Sequence, residues 1–407
     1  MISIEEALAT YPRFLDPLPV EAVATVDALD RVLASPVDAR TDLPRFDQSA
    51  MDGYAFNAAD IAAAGTDAAV HLSITQQIAA GAHRVLIPLR SGGAARILTG
   101  APVPPGADTV IPQENTVRDG DGLIFTTPYP ARSNIRWRGE ELSSGTRVAD
   151  MGHRIDPGTL ASLINAGIES VAVHRRPRIR LLVTGDEVRP AGTPLEAGQI
   201  PDSNGPFVRA VLRRWGFEPP AIEYVADTAD AVRDALSRAL DEADLVLSSG
   251  GASVGDRDFL PTIAEQLGIE RVFWKVAQKP GKPLYFGIHK GARRRTLLAM
   301  PGNPGAVLVS LCLHVRSAID CLEGARAPGP VWHRARAAGA IERDSKRARL
   351  LRMRLESDAT GIGQLIPLPH QDSHMLSNLS AADVLVWAPS GTAPVAAGDT
   401  LLWTPLP

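Results

Sequence analysis

Cysteine is almost missing from this chain. Cys312 and Cys321 are the whole complement in 407 residues. Two thiols cannot form a disulfide framework for a chain of this length, and no C-x-x-C or Cys/His cluster suggests structural zinc. Both lie in an apolar segment that reads as helix, so they are expected as reduced core thiols. A basic excess is missing as well. The net charge of −4 argues against a general nucleic-acid binder but leaves room for a local basic pocket that takes a small anion. Long hydrophobic runs are also lacking. The longest, residues 306–315, is too short to span a bilayer and carries His314. The start, Met1-Ile2-Ser3-Ile4-Glu5-Glu6, has neither the basic beginning nor the apolar core of a signal peptide. No membrane association and a cytoplasmic location are the expectations. No fixed-period repeat or low-complexity tract occurs.

Glycine and proline, at 35 and 33, are plentiful. Such punctuation predicts many short strands joined by turns. Hydrophobic residues at 45% and charged residues at 22% describe an ordinary globular chain, and its length exceeds one core, so two to four domains are expected.

Residues 1–45 read as helical, with apolar positions at helical spacing over 6–8 and 20–33. Between 46 and 145 the signal turns to short runs bounded by Gly or Pro: Val85-Leu86-Ile87, Ala95-Arg96-Ile97-Leu98 and Leu123-Ile124-Phe125. From about 177 strands alternate with helices. Arg178-Ile179-Arg180-Leu181-Leu182-Val183 runs into Thr184-Gly185-Asp186-Glu187. A helix capped by Ser203 or Asn204, with Pro206 in its first turn, carries the stripe Phe207, Val208, Val211, Leu212 and Trp215 and stops at Gly216. A strand over 221–225 precedes a helix over 229–239 capped by Asp227 or Thr228, and Leu245-Val246-Leu247 follows as a buried strand. Thr296-Leu297-Leu298-Ala299 leads to Pro301-Gly302-Asn303-Pro304 and a long helix to about Leu322, with Asn303 as its cap. Such alternation implies a parallel sheet covered on both faces. Past a Pro-rich break at Ala327-Pro328-Gly329-Pro330, the tail returns to short strands ending at Asp399-Thr400-Leu401-Leu402-Trp403.

Ligands of open α/β sheets sit outside the carboxyl ends of the strands. Three polar loops occupy such ends: Thr184-Gly185-Asp186-Glu187, the run from Ser248 to Asp258, and Pro301-Gly302-Asn303-Pro304. In the second, Gly250, Gly251 and Gly255 let backbone amides approach a phosphate, while Ser249 and Ser253 add hydroxyl donors. Asp258 begins the next helix. The run matches neither a Walker A loop nor a G-x-G-x-x-G fingerprint, and a plain turn with a capping Asp is the alternative. A fourth loop, Lys279-Pro280-Gly281-Lys282-Pro283, follows a strand carrying Trp274 and Lys275. Lys275, Lys279 and Lys282 point to anion capture; a solvated basic face is the bland alternative. One charge pair at ~4 Å is worth on the order of 4 kcal/mol near a protein surface before desolvation. The helix starting after Asn303 would add up to ~2 kcal/mol for a partly buried anion. Asp186, Glu187, Asp227 and Asp258 would repel a phosphate unless a cation intervened, and magnesium suits such hard oxygen donors.

These stretches, together with Ser49-Ala50-Met51-Asp52-Gly53-Tyr54-Ala55, Thr99-Gly100-Ala101 with Pro105-Gly106-Ala107-Asp108, Asn134-Ile135-Arg136 with Gly139-Glu140-Glu141, and Asp202-Ser203-Asn204, closely resemble the molybdopterin molybdenumtransferase family, called MoeA in bacteria and related to a domain of gephyrin. The motifs keep the family's order over about 50–305. The resemblance implies a multidomain α/β fold. It would comprise a discontinuous linking domain (1–45 plus 146–176), a β-rich inserted domain (46–145), a three-layer molybdopterin-binding domain (177–328) and a small C-terminal β-barrel (329–407). It implies insertion of molybdenum from molybdate into adenylylated molybdopterin with release of AMP and a divalent cation, Mg2+. It also implies a homodimer, small anionic substrates and the molybdopterin adenylyltransferase as a candidate partner.

On that pattern Asp52 and Thr99 reach a neighbour's site. Glu187, Asp227 and Asp258 serve the cation and nucleotide side. Lys275, Lys279, Lys282, Pro301 and Pro304 line the pterin and molybdate side. Arg352 and Ser373 match residues near molybdate, although Met353 and the segment Gln371-Asp372-Ser373-His374 depart from the family's usual Gly-containing forms, and Glu141 stands where many relatives have Asp. Two rivals accompany this reading. One is the sister adenylyltransferase, which would consume ATP; the other is a non-catalytic scaffold or paralogue of the same fold.

Overall fold

Leu181 and Val183 face one side of a strand and Leu182 the other, and all three are buried. A strand buried on both faces must lie inside a covered sheet. In the computed structural model, which describes residues 1–81, 86–251, 259–291 and 294–407, it does. The sheet has six strands in the order Ile222–Val225, Ile179–Thr184, Leu245–Ser249, Arg294–Met300, Tyr285–Lys290 and Ile269–Trp274. The first four are mutually parallel, while Tyr285–Lys290 runs antiparallel to both its neighbours.

Leu181, Val183, Leu247 and Leu298 pack with helix Asn204–Arg214 and the long helix after Asn303. Leu182, Val246 and Leu297 pack with helices Ala229–Glu242 and Leu260–Gln266 on the opposite face. The result is the expected three-layer sandwich. Helix Ala229–Glu242 resolves the capping question in favour of Thr228, whose side chain accepts from the Ala231 amide. Helix Asn204–Arg214 starts after Ser203, but neither Ser203 nor Asn204 caps it through a side chain. Asp202 does so, accepting from the Gly205 amide at 2.9 Å.

The long helix runs from Pro304 to Leu322 and is π-helical over Ser310–Val315. Its bounds match the expected helix from Asn303 to about Leu322; at 19 residues it is apolar enough to cross a membrane, yet 94% of its most apolar window is buried inside the protein. It is a core helix. Cys312 and Cys321 lie on it as buried free thiols. Asn303 is its cap residue by position and makes no side-chain capping bond.

Residues 20–33 correct the helical expectation. Val20–Ala24 is a strand paired antiparallel with Ser170–His174, and only Thr25–Asp27 forms a single 3-10 turn. Val20 and Val23 favour extended backbone, and the partner that supplies the hydrogen bonds lies some 150 residues later, beyond the reach of local periodicity. The first helix, Ile4–Phe14, is real. It is closed by a capping box between Ser3 and Glu6 and packs Ile4, Ala7 and Tyr11 into the α/β core.

The β-rich region forms a six-stranded sheet in the order Thr109–Pro112, Gly53–Phe56, Gly93–Ile97, Val70–Ile78, Gly122–Phe125 and Val117–Asp119. Leu86 and Ile87 belong to no strand, and Val85 lies outside the described residues. The neighbouring strand role is taken by Val70–Ile78, whose alternating exposed and shielded positions fit one covered face.

In the tail, Ala348–Ser357, Gly363–Pro367, His333–Ala337, Thr400–Pro405 and Val384–Ala388 close on themselves as a five-stranded barrel. A two-residue strand from the α/β part, Gln278–Lys279, adds parallel to the start of Ala348–Ser357, with Lys279 opposite Arg349.

Candidate functional site

The carboxyl ends of Ile179–Thr184, Leu245–Ser249 and Arg294–Met300 lie side by side, so their following loops converge. They enclose a cavity of about 710 Å3 lined by Thr184, Gly185, Glu187, Asp202, Asn204, Asp227, Ser249, Gly250, Gly251, Pro301, Gly302, Asn303 and Pro304. Three loops separated in the sequence thus form one wall, as their positions at strand ends predicted.

Local chemistry fixes the loop shapes. Gly250 has φ +95, and a Cβ there would lie 2.5 Å from Thr184 Oγ1 and 2.7 Å from the Thr184 carbonyl oxygen. Only glycine fits. The Asn204 amide nitrogen donates to Ser249 Oγ at 2.8 Å and to the Gly302 carbonyl at 2.7 Å, so one side chain at a helix start ties two of the three loops together. The Gly250 amide donates to the Met300 carbonyl at 3.1 Å.

The acidic edge of this cavity is formed by Glu187 and Asp227. The Asp227 carboxyl is held above the usual carboxylate range, first by burial and then by the charges of Asp186 and Glu187. Such a site favours a cation, because a positive charge would offset both effects. Among the described residues no three His, Cys, Asp or Glu side chains close a ligand set. Glu187 and Asp227 could supply two oxygen ligands, with substrate and water completing the shell, as magnesium commonly accepts.

A second cavity, of about 380 Å3, adjoins the first and shares Pro283, Pro301, Asn303 and His374 with it. Its walls are basic. Lys279 and Lys282 come from the proline-flanked loop, and Arg347 and Arg349 from the barrel strand and its approach. The strand pairing that sets Lys279 opposite Arg349 builds this basic wall. The Lys279 ammonium sits 3.9 Å from Asp344 and is half exposed. Lys275 does not line either cavity. It has φ +73, and its ammonium lies over the Trp274 ring at 4.6 Å from the centroid.

The second cavity also holds Ser373 and His374 from the loop 370–375. Arg352 does not point a free guanidinium into that space. It is 3% exposed and donates to the carbonyls of His370 at 2.7 Å, Asp372 at 3.2 Å and Met375, while Gln371 bonds back to the Arg352 backbone. Burial lowers its pKa from the ordinary arginine value. Arg352 therefore builds the loop that presents Ser373. The Ser373 carbonyl in turn accepts from the Gly305 amide at 2.7 Å. That bond consumes the first free amide of the long helix, leaving its dipole but not this donor for an anion.

Asp52 and Thr99 lie together on the β-rich part, away from both cavities. One Asp52 oxygen accepts from the Thr99 amide and hydroxyl, each at 2.7 Å, which lowers the Asp52 pKa. Ser253, Gly255 and Asp258 lie outside the described residues. Among the charged and polar lining residues, Arg347, Arg349 and His374 escaped sequence reasoning. The first two stand two positions apart leading into a strand, a spacing that puts side chains on one face, so the signal was present in Arg347-Ala348-Arg349.

Comparison with known proteins gives the family and the overall fold. Residues 2–167 match the MoeA N-terminal region (domains I and II), residues 180–320 a probable molybdopterin binding domain, and residues 334–406 the MoeA C-terminal region (domain IV). The chain is 36% identical over 319 residues to a molybdopterin molybdenumtransferase of Nostoc sp., covering 78% of this chain and 73% of that one. To the protein of the same name from Staphylococcus aureus it is 30% identical over 400 residues, covering 98% and 94%. A crystal structure of the molybdopterin biosynthesis moeA protein from Pyrococcus horikoshii OT3 superimposes with a TM-score of 0.83, at 26% identity and with full coverage of both chains.

Proposed function

The chain belongs to the molybdopterin molybdenumtransferase family, and from that premise we propose that its two joined cavities bring adenylylated molybdopterin and molybdate together for metal insertion with release of AMP. One observation carries the reading: an acidic cavity at the sheet's carboxyl edge opens into a basic one at Pro283, Pro301, Asn303 and His374. A nucleotide-bearing pterin with its cation suits the first. A small oxyanion suits the second.

In this reading Lys279 and Lys282, with Arg347 and Arg349, draw in molybdate and offset its lost hydration. Ser373 supplies a hydroxyl donor, held in place by Arg352. Ser249, Gly250 and Gly251 cradle the phosphate side, and Pro301 and Pro304 shape the passage between the two guests. Glu187 and Asp227 hold Mg2+, with Asp258 as a third carboxylate carried over from the resemblance. When bound, the cation supplies positive charge to the pyrophosphate link. Holding both reactants in adjoining volumes removes much of the entropic cost of their encounter. No protein thiol takes part: burial pushes both Cys312 and Cys321 up to about 12. The dithiolene sulfurs come with the pterin. Lys275, on its strand end, acts through the position of the loop that follows it.

A homodimer completes the reading. Asp52 and Thr99, which line neither cavity of their own chain, would serve the partner's site as the family resemblance implies. Among the described residues the one helix long and apolar enough to cross a membrane is buried in the core, and a cytoplasmic location is part of the proposal. The experiment is AMP release from adenylylated molybdopterin with and without molybdate. Release that depends on molybdate and Mg2+ is expected. Consumption of ATP with metal-free molybdopterin would point to the sister adenylyltransferase instead.

A further inference from the structure

Beneath the lysine loop runs a chain of polar side chains that the reading above leaves unused. Tyr11 Oη lies 3.0 Å from His314 Nδ1, His314 Nε2 lies 2.9 Å from Gln278 Oε1, and Gln278 Nε2 donates to the Gly281 carbonyl at 3.0 Å. Tyr11, His314 and Gln278 are all 0% exposed. They come from three parts of the molecule: the first helix, the π-helical turn of the core helix, and the short strand that opens the loop.

Starting from the Gly281 carbonyl, each direction is determined. That oxygen can only accept, so the Gln278 group facing it is the NH2 and the group facing His314 is Oε1. Oε1 also only accepts, so His314 carries its proton on Nε2. Nδ1 is then bare and accepts a hydrogen bond from the Tyr11 hydroxyl. Any reversal would set two buried acceptors or two donors against each other. Burial holds the His314 pKa down at about 3, which keeps the ring neutral as this pattern requires. Tyr11 is itself wedged against Phe286 and Phe273, with ring centroids at 4.8 and 5.9 Å.

The chain ends where the loop bends. Gly281 has φ +97, and a Cβ there would meet Gln278 Nε2 at 2.7 Å. Gly281, one of the two residues between the lysines, is therefore shaped around the Gln278 amide. We propose that Tyr11 and His314 are positioning residues, which act through Gln278 and the Gly281 carbonyl to hold Lys279 and Lys282 at a fixed separation in the oxyanion cavity. The assignment rests on the reading of that cavity as the molybdate site.

The test uses Tyr11→Phe, which deletes only the hydroxyl, and Gln278→Leu, which cuts the chain at its other end. Hydrogen exchange of the Val276 and Leu284 amides, which donate to the Lys282 carbonyl at 2.9 and 3.0 Å, is measured first in ligand-free protein. A rise of roughly fivefold or more is expected in both variants, with the amides of the core helix still protected. Titration with molybdate alone should show binding weakened about tenfold, equivalent to ~1.4 kcal/mol. In a Lys279→Ala/Lys282→Ala background the same two substitutions should have no further effect on affinity, an interaction that a merely structural role would not produce. Unchanged loop exchange in folded variants overturns the proposal, as does equal weakening with and without the lysines. Should Gln278→Leu not fold, Tyr11→Phe decides alone. Faster loop exchange in a protein whose wild type takes up no molybdate would uphold the positioning chain and remove the molybdate assignment.

Discussion

Asp186 and Asp227 hold each other's backbone: the amide of each donates to the other's carboxylate, at 3.2 and 3.1 Å. The two loops are locked together at a place where their charges repel. Asp227 bears the consequence, with a pKa raised by burial and by its acidic neighbours. A carboxyl whose folded pKa exceeds its unfolded one costs stability when ionised. That cost is nil in acid and grows as pH rises through the two values. In cation-free protein, Asp227→Asn is therefore expected to raise the thermal midpoint at pH 7 by roughly a few degrees and to leave it unchanged near pH 3. Calorimetry at the two pH values checks this, and equal midpoints for variant and wild type at pH 7 would contradict it. Added Mg2+ should stabilise the wild type more than the variant.

Lys279→Ala and Lys282→Ala should each raise the KM for molybdate by roughly 10–100-fold, the loss expected for one charge-assisted contact, with a smaller effect on kcat. Steady-state AMP release over a molybdate series measures the split. Lys275→Ala, whose side chain lies over Trp274 rather than in the cavity, should shift the same KM far less.

Arg352→Lys keeps a charge and loses the planar fork that reaches three carbonyls. A drop in unfolding free energy of about 1–3 kcal/mol is expected, together with weaker molybdate binding because Ser373 is no longer held. Full stability in urea unfolding for the lysine variant would show that the loop stands without its clamp.

Gly250→Ala combines a positive φ with a clash against Thr184. A loss of about 1–3 kcal/mol is expected from backbone strain. Thr184→Ala in the same chain should not restore it, since the Thr184 carbonyl lies 2.7 Å from the added methyl and stays in place.

Mixing Asp52→Ala with Lys279→Ala chains, assayed at molybdate far below the raised KM so that neither homodimer turns over appreciably, tests the shared site. If random pairing in a dimer leaves one intact site per mixed dimer, about a quarter of wild-type activity returns. No recovery after verified subunit exchange would place Asp52 outside the neighbour's site.

The sandwich was legible because its strands are buried on both faces and its helices announce their stops with Gly216 and their starts with Thr228 and Pro304. The three cavity loops followed from the rule that strand ends gather ligands. Other features were invisible for physical reasons. Val20–Ala24 becomes a strand only because Ser170–His174 is there to pair with it. The turn of Lys275 away from the cavity depends on one φ angle and one neighbouring ring, which spacing cannot encode. Arg352 looked like an anion ligand, but three backbone carbonyls folded around it use its donors first. Its partners are main-chain atoms, which carry no sequence signature.

The two-residue strand Gln278–Lys279 is one of the places where the barrel is joined to the sandwich, by pairing with Ala348 and Arg349. That joint is made of main-chain bonds, so its strength is largely indifferent to the side chains displayed on it. Drift can therefore re-tune the basic wall one residue at a time, for a different oxyanion, without loosening the seam that keeps the wall upright.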